Sequence, residues 1–209
     1  MSNEELEDAE RGTLIQEYAQ GLLDILVREE TLEHIPIVKT LVAAIKAVGS
    51  VRDAILVQKI KVFIEALAEV PVAQRVAMVG RLEADPGYNR KVGLHLIELL
   101  DRIDSHRKPT MISHVFAAYA LERIDLTALQ RLLAAIDKLP SHEIDTVRRV
   151  GNAVTNNRQE LRNVDPESTY AIINAGLANI STGFGGGGLE ITRTCSLFLE
   201  LNLDEKSAK

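Results

Sequence analysis

Aromatic residues are scarce in this 209-residue chain, 4% of the total, and tryptophan is missing, although 46% of the residues are hydrophobic. The core must therefore be built from Leu, Ile, Val and Ala, a palette that suits helix packed on helix. Cysteine is scarcer still. Cys195 stands alone, so no disulfide can form within the chain, stability has to come from packing, and a reducing, cytoplasmic location is expected. The first residues, Met1-Ser2-Asn3-Glu4-Glu5-Leu6-Glu7-Asp8, are acidic where a signal or transit peptide is basic and then apolar. A frayed, disordered acidic tail over residues 1–12 is the expectation. A strongly basic segment, the footprint of most nucleic-acid readers, is also lacking. The net charge is −6, and residues 1–33 hold ten acids against two bases, so the acidity belongs to one end and the remainder is slightly positive.

Known enzyme signatures are missing as well. No serine-centred elbow, kinase set or dinucleotide fingerprint occurs, so no catalytic residue, cofactor or small-molecule substrate is identified and a non-enzymatic role is expected.

What the chain does have is helical periodicity. Leu14, Ile15, Tyr18, Leu22, Ile25 and Leu26 recur at three- and four-residue steps and predict an amphipathic helix over 13–34 with an acidic opposite face. Pro36 closes it, because its ring and missing N–H disfavour continuation. Residues 37–48 are apolar nearly all round, with Lys39 and Lys46 seven apart on one face. At twelve residues this segment is too short to span a bilayer, which takes roughly 20. A core helix with lysines snorkelling outward is the favoured reading, and a helix lying in a membrane surface is the alternative. Ser50, as N-cap, and Asp53 open a third helix over 51–69, closed by Pro71. Further helices follow over 72–84, 88–106, 111–123, 126–139 and 143–161, with Pro109 as an interruption and Thr127 and Ser141 as caps. The stripe Val92, Leu96, Leu99, Leu100, Ile103 marks 88–106 as a central helix. Eight helices thus precede residue 162, and a helical bundle over 13–161 is expected.

The last fifty residues differ. Asp165-Pro166 opens a short helix over 167–175, and Gly176 signals its end. Residues 177–181 and 189–192 read as strands joined by a flexible glycine-rich loop, 182–188, and so predict a hairpin. A terminal amphipathic turn or two follows, with Leu197, Phe198, Leu199 and Leu201, before a polar tail over 204–209.

Several clusters invite a chemical reading. Gly185 to Gly188 could suggest a phosphate cradle, but the glycines feed a strand and no lysine accompanies them, so a wing tip is favoured. Asp101, Asp104, His106 and His114 form the most metal-like group, yet Arg102 and Arg107 stand beside them, which favours local ion pairs over a metal site. Cys195 reads as a small buried hydrophobe rather than a nucleophile. The best nucleic-acid surface would combine Arg148, Arg149, Arg158, Arg162 and Arg193 with Asn156, Asn157 and Asn163, the residue types for phosphate and adenine contacts. Glu143, Asp145, Glu160, Asp165, Glu167 and Glu190 interleave with them and weaken that attraction. A second basic stripe, Lys39, Lys46, Arg52, Lys59 and Lys61, could face an acidic partner or the chain's own acidic first helix.

Two resemblances add to this. The segments IPIVKTLVAAIKAVGSVRDAILVQKIKVFIEAL, LLDRIDSHRKP and LTALQRLLAAIDKLP resemble a widespread group of uncharacterised all-helical bacterial proteins, which are similar in turn to the tellurite-resistance TerB-like helical fold. That resemblance implies a helical body and brings no activity. The second rests on Ala175, Gly176 and Leu177, then Ile191, Thr192 and Phe198, which resemble the end of a winged-helix domain, where a short helix leads into a hairpin. Cys195 stands where that pattern has glycine. The resemblance implies a winged-helix-like subdomain over 162–203, a shape used to contact DNA or protein.

The expected architecture is mainly α, a multi-helix bundle with a small C-terminal two-stranded β-hairpin. The expected role is a protein-interaction or oligomerisation module of a bacterial cytoplasm, docking a protein partner or itself. A winged-helix DNA-binding regulator is the first alternative, and an effector that meets a membrane surface through residues 37–48 is the second.

Overall fold

A computed structural model of the chain describes residues 51–86, 92–156, 164–183 and 186–203, together with Thr13, Glu17 and Gly21. Those residues form eight α-helices and one antiparallel hairpin, the mainly α architecture that the periodicity predicts. The chain divides into two compact units, residues 1–102 and 103–209. The division falls inside the span 13–161, and the hairpin shares its unit with the helices from residue 108 onward.

In the first unit, Thr13, Glu17 and Gly21 are helical and exposed; the rest of 13–34 and all of 37–48 lie outside the described residues. Helix α1 (Val51–Ala68) buries Val57, Ile60, Phe63, Ile64 and Leu67, the three- and four-residue repeat of one helical face. Each such side chain contributes roughly 1.5–3 kcal/mol of transfer free energy. Pro71 holds an extended backbone, φ −55° and ψ 143°, and starts α2 (Val72–Ala84), whose inner face carries Met78, Val79 and Leu82. Helix α3 (Val92–Arg102) buries Leu96, Leu99 and Leu100. Lys59 on α1 donates to the Asp101 carbonyl at 3.2 Å, placing a cation where the end of α3 leaves carbonyls unsatisfied. Lys61 pairs with Glu65 one turn on. Two members of the second basic stripe therefore have partners within their own unit.

In the second unit, helix α4 (Lys108–Ala120) is buried almost all round. It, rather than 88–106, is the most enclosed helix described. Pro109 does not interrupt a helix but sits in the first turn of α4, where a missing N–H costs nothing. The regular stripe before it ends at Arg102, and residues 103–107 form a loop. Helix α5 (Leu126–Lys138) packs on α4 and buries Leu129, Leu132, Leu133 and Ile136. Its cap is Asp125 and not Thr127: the carboxylate accepts the Ala128 N–H at 2.7 Å. Ser141 likewise caps nothing, and begins a 3-10 turn, Ser141–Glu143, that leads into α6 (Ile144–Asn156). Ile144, Val147, Val150 and Ala153 line the buried face of α6.

Helix α7 (Pro166–Asn174) follows, then strand β1 (Ala178–Gly183), strand β2 (Gly186–Ile191) and helix α8 (Arg193–Glu200). Helix α8 packs on α5, α6 and β2 through buried Cys195 and Phe198. The glycine run is mostly strand. Gly186, Gly187 and Gly188 pair with Gly183, Thr182 and Ser181, which leaves only residues 184 and 185 between the strands. Cross-strand pairing here overrides the low strand propensity of glycine.

Candidate functional site

Three elements of the second unit converge at a lock that fixes the hairpin. Asp165 caps α7 by accepting the Ser168 N–H at 2.9 Å, and that bond holds its carboxyl below the usual carboxylate range. At the other end of α7, Gly176 takes φ 73°, which its missing Cβ permits. The Gly176 N–H reaches the Ile173 carbonyl at 2.8 Å and the Leu177 N–H reaches the Ile172 carbonyl at 3.1 Å, a Schellman ending with buried Ile172 and Leu177 across it. Thr192 then closes the loop. Its N–H donates to the Leu177 carbonyl at 3.0 Å and its hydroxyl donates to the Gly176 carbonyl at 2.8 Å. The same hydroxyl oxygen accepts the Cys195 N–H at 3.2 Å and so caps α8. One threonine ties the end of α7, the base of the hairpin and the start of α8.

The hairpin that this lock presents has two faces. Ala178, Ile180, Leu189 and Ile191 lie on one, and Asn179, Ser181 and Glu190 on the other. The apolar face is buried at its base, at Ala178, and open beyond it: Ile180 is 62% exposed. On α7, Ser168 and Ile172 turn inward, as does Ala175 at its C-cap, while Tyr170 stands 64% exposed. Exposed apolar residues elsewhere, such as Val76 and Leu94, ride on helices whose backbone is already hydrogen-bonded. Ile180 instead lies on β1, which among the described residues pairs only with β2. Comparison of the chain with protein-family models, with curated proteins and with solved structures finds no match. The site must be read from its own chemistry.

A second polar group braces the same unit. Lys108, whose side chain is only 3% exposed, meets Asp104 at 2.6 Å, and Asp104 also accepts the Ser141 hydroxyl at 2.7 Å. Burial pushes the Asp104 carboxyl up, but the bonds from Lys108 and Ser141 outweigh it and hold the group down at about 2. Arg107 grips Asp145 with both guanidinium ends, at 3.1 and 3.4 Å, and lowers the Asp145 carboxyl through that bond. Buried Glu143 accepts the Ser168 hydroxyl at 2.9 Å, so the 3-10 turn is fastened to the first turn of α7. These contacts join the 103–107 loop, the 3-10 turn and α7, and α7 in turn packs against β1.

The arginines named from the sequence fare unequally. Arg149 and Arg193 are exposed, on α6 and at the first position of α8. Arg148 is half-buried on α6, and its charge helps to lower Asp145. Arg158 and Arg162 lie outside the described residues, with Asn157 and Asn163. Of the metal-like group, Asp101 belongs to the first unit and Asp104 to the second, and Asp104 is engaged by Lys108 and Ser141. Among the described residues no three His, Cys, Asp or Glu side chains gather as a metal site would require. Cys195 is buried, and burial pushes its thiol up to about 11, where a thiolate nucleophile does not form at neutral pH. No described helix is long and apolar enough to cross a membrane; residues 37–48, named for the membrane surface, lie outside the described residues.

Proposed function

We propose that the chain is a non-enzymatic protein-interaction module of a bacterial cytoplasm, and that α7 and the hairpin are its docking surface. The observation that carries this reading is the β1 edge, unpaired among the described residues, with exposed Ile180 on it and Thr192 fastening the hairpin base. Apolar side chains next to unpaired backbone groups suit capture of another polypeptide. The charge pattern favours protein over nucleic acid. Helix α7, β1 and β2 contain no Lys or Arg; α7 carries Glu167, β2 carries Glu190 and Asp165 caps α7, against Arg193 alone just past β2, and phosphate attraction would need the opposite balance. In a winged-helix regulator, α7 would be the helix presented to DNA, and its acidic opening argues against that use.

The test is a photo-reactive amino acid placed at position 170 or 180 of the full chain in living cells. Irradiation should give protein adducts at both positions and none at the control position 94. Absence of adducts, together with salt-sensitive binding of duplex DNA by the purified chain, would turn the reading toward the DNA-binding regulator.

A further inference from the structure

The strand pairing says which backbone groups of the hairpin are used and which are not. Thr192 donates to Leu177, its direct partner in the register. Pairs therefore alternate along the hairpin: Asn179 with Glu190 and Ser181 with Gly188 exchange backbone bonds, whereas Ala178, Ile180 and Thr182 turn their N–H and carbonyl groups outward from β1. Helices α6 and α8 contact β2, and α7 contacts β1. Ala178 at the base of β1 is buried, but Asn179, Ile180 and Ser181 beyond it are all exposed, and among the described residues no backbone hydrogen bond reaches the outward groups of Ile180.

Natural edges are usually guarded by a charge, a proline or a bulge. Strand β1, Ala178-Asn179-Ile180-Ser181-Thr182-Gly183, contains none of the three in its sequence or pairing. We propose that β1 pairs antiparallel with β1 of a second copy of this chain, across a two-fold axis at Ile180, to make one continuous four-stranded sheet. The proposal rests on the interaction-module reading and names its partner.

The strand is complementary to its own image. An axis at Ile180 sets each Ile180 against its mate, so the two most exposed apolar groups of the hairpin cover each other. It sets Asn179 opposite Ser181 on the polar face, where amide and hydroxyl can hydrogen-bond, and Thr182 opposite Ala178. Strand β1 carries no charged residue, so its self-pairing sets no like charges together although the chain as a whole is acidic. A two-fold contact of this kind is closed and stops at the dimer. It buries little area, below the roughly 1,200 Å² of standard stable interfaces, so the pairing is reversible and concentration-dependent.

Sedimentation equilibrium of the full chain, carried to about 1 mM as suits so small a contact, should show monomer passing to dimer. Ile180→Lys and Ile180→Glu each set like charges together on the axis and should each weaken the dimer more than tenfold. An equimolar mixture of the two variants should restore it as a heterodimer to within tenfold of the original, which also shows that both variants fold. A chain that stays monomeric throughout, a dimer indifferent to both substitutions, or a mixture that fails to recover would overturn self-pairing. Adducts at position 180 to a different protein, with the purified chain monomeric, would overturn self-pairing while leaving the interaction module standing. No adducts at all would remove that module reading as well.

Discussion

Removing either member of the Lys108–Asp104 pair breaks the same contact, yet the two losses should differ in cost. Lys108 is enclosed, 3% exposed, whereas Asp104 is 55% exposed. Asp104→Asn keeps the shape and an oxygen at the Oδ1 position that both Lys108 and Ser141 reach, but it removes the charge that balances an ammonium closed in on its other sides. Breaking a buried pair costs about 3–5 kcal/mol, and the retained amide oxygen together with water reaching the ammonium from the Asp104 side reduces that to about 1–2 kcal/mol. Lys108→Met removes the buried charge, fills similar volume and leaves behind a carboxylate that water can solvate, so its effect should stay within about 1 kcal/mol. Acid titration gives an independent check. The Asp104 carboxyl sits at about 2 in the folded chain and at about 4 when unfolded. Its stabilisation is thus complete above pH 4 or so and is lost as the pH falls toward 2. The full linkage would be about 2 kcal/mol, and screening of a half-exposed group reduces it to about 1 kcal/mol. Urea unfolding of the three chains at pH 7, and again between pH 2 and 5, reads both effects. Lys108→Met should flatten the acid limb. A Lys108→Met variant less stable at pH 7 than Asp104→Asn would refute the reasoning.

Other consequences are as direct. A Cβ added at Gly151 on α6 would collide with the Cδ1 of Leu199 on α8 and stand 3.2 Å from its Cγ. Gly151→Ala should therefore lose about 1–2 kcal/mol to overpacking despite the better helix former, and Leu199→Ala in the same chain should recover part of the loss, as a double-mutant cycle in thermal unfolding would show. Thr192→Val removes the hydroxyl that caps α8 and bonds Gly176; a loss of about 1–3 kcal/mol is expected, with Thr192→Ser recovering most of it. Cys195 should resist a maleimide in the native chain at pH 8 and react fully in urea, because its thiol is buried and titrates at about 11; rapid native labelling would contradict its placement.

Much of this was legible in the sequence, for identifiable reasons. Helices α1, α2 and α5 follow from apolar repeats bounded by proline and glycine, signals that are local and need no tertiary partner. Pro109 misleads because the same ring that breaks a helix interior is welcome in a first turn. Thr127 yields to Asp125 because the side chain that caps must precede the first helical residue, and both are capping types. The run Gly186 to Gly188 reads as a loop until its partner strand is known. The contacts that brace the second unit are invisible locally: Asp104 and Ser141 are 37 residues apart, and Glu143 and Ser168 are 25 apart. Exposure of Tyr170 could have been read from the repeat that turns Ser168, Ile172 and Ala175 inward. The exposed edge at Ile180 could not, because it depends on where α6, α7 and α8 meet the hairpin.

The central claim, that the outward edge of β1 is the contact surface, can be tested amide by amide. Hydrogen exchange of the dilute chain should protect Asn179 and Ser181, which bond within the hairpin, and leave Ile180 and Thr182 open. Raising the concentration should slow exchange at Ile180 and Thr182 while leaving Asn179 and Ser181 nearly unchanged. Open amides at Ile180 and Thr182 under every condition, or protection that appears first on β2, would contradict the account.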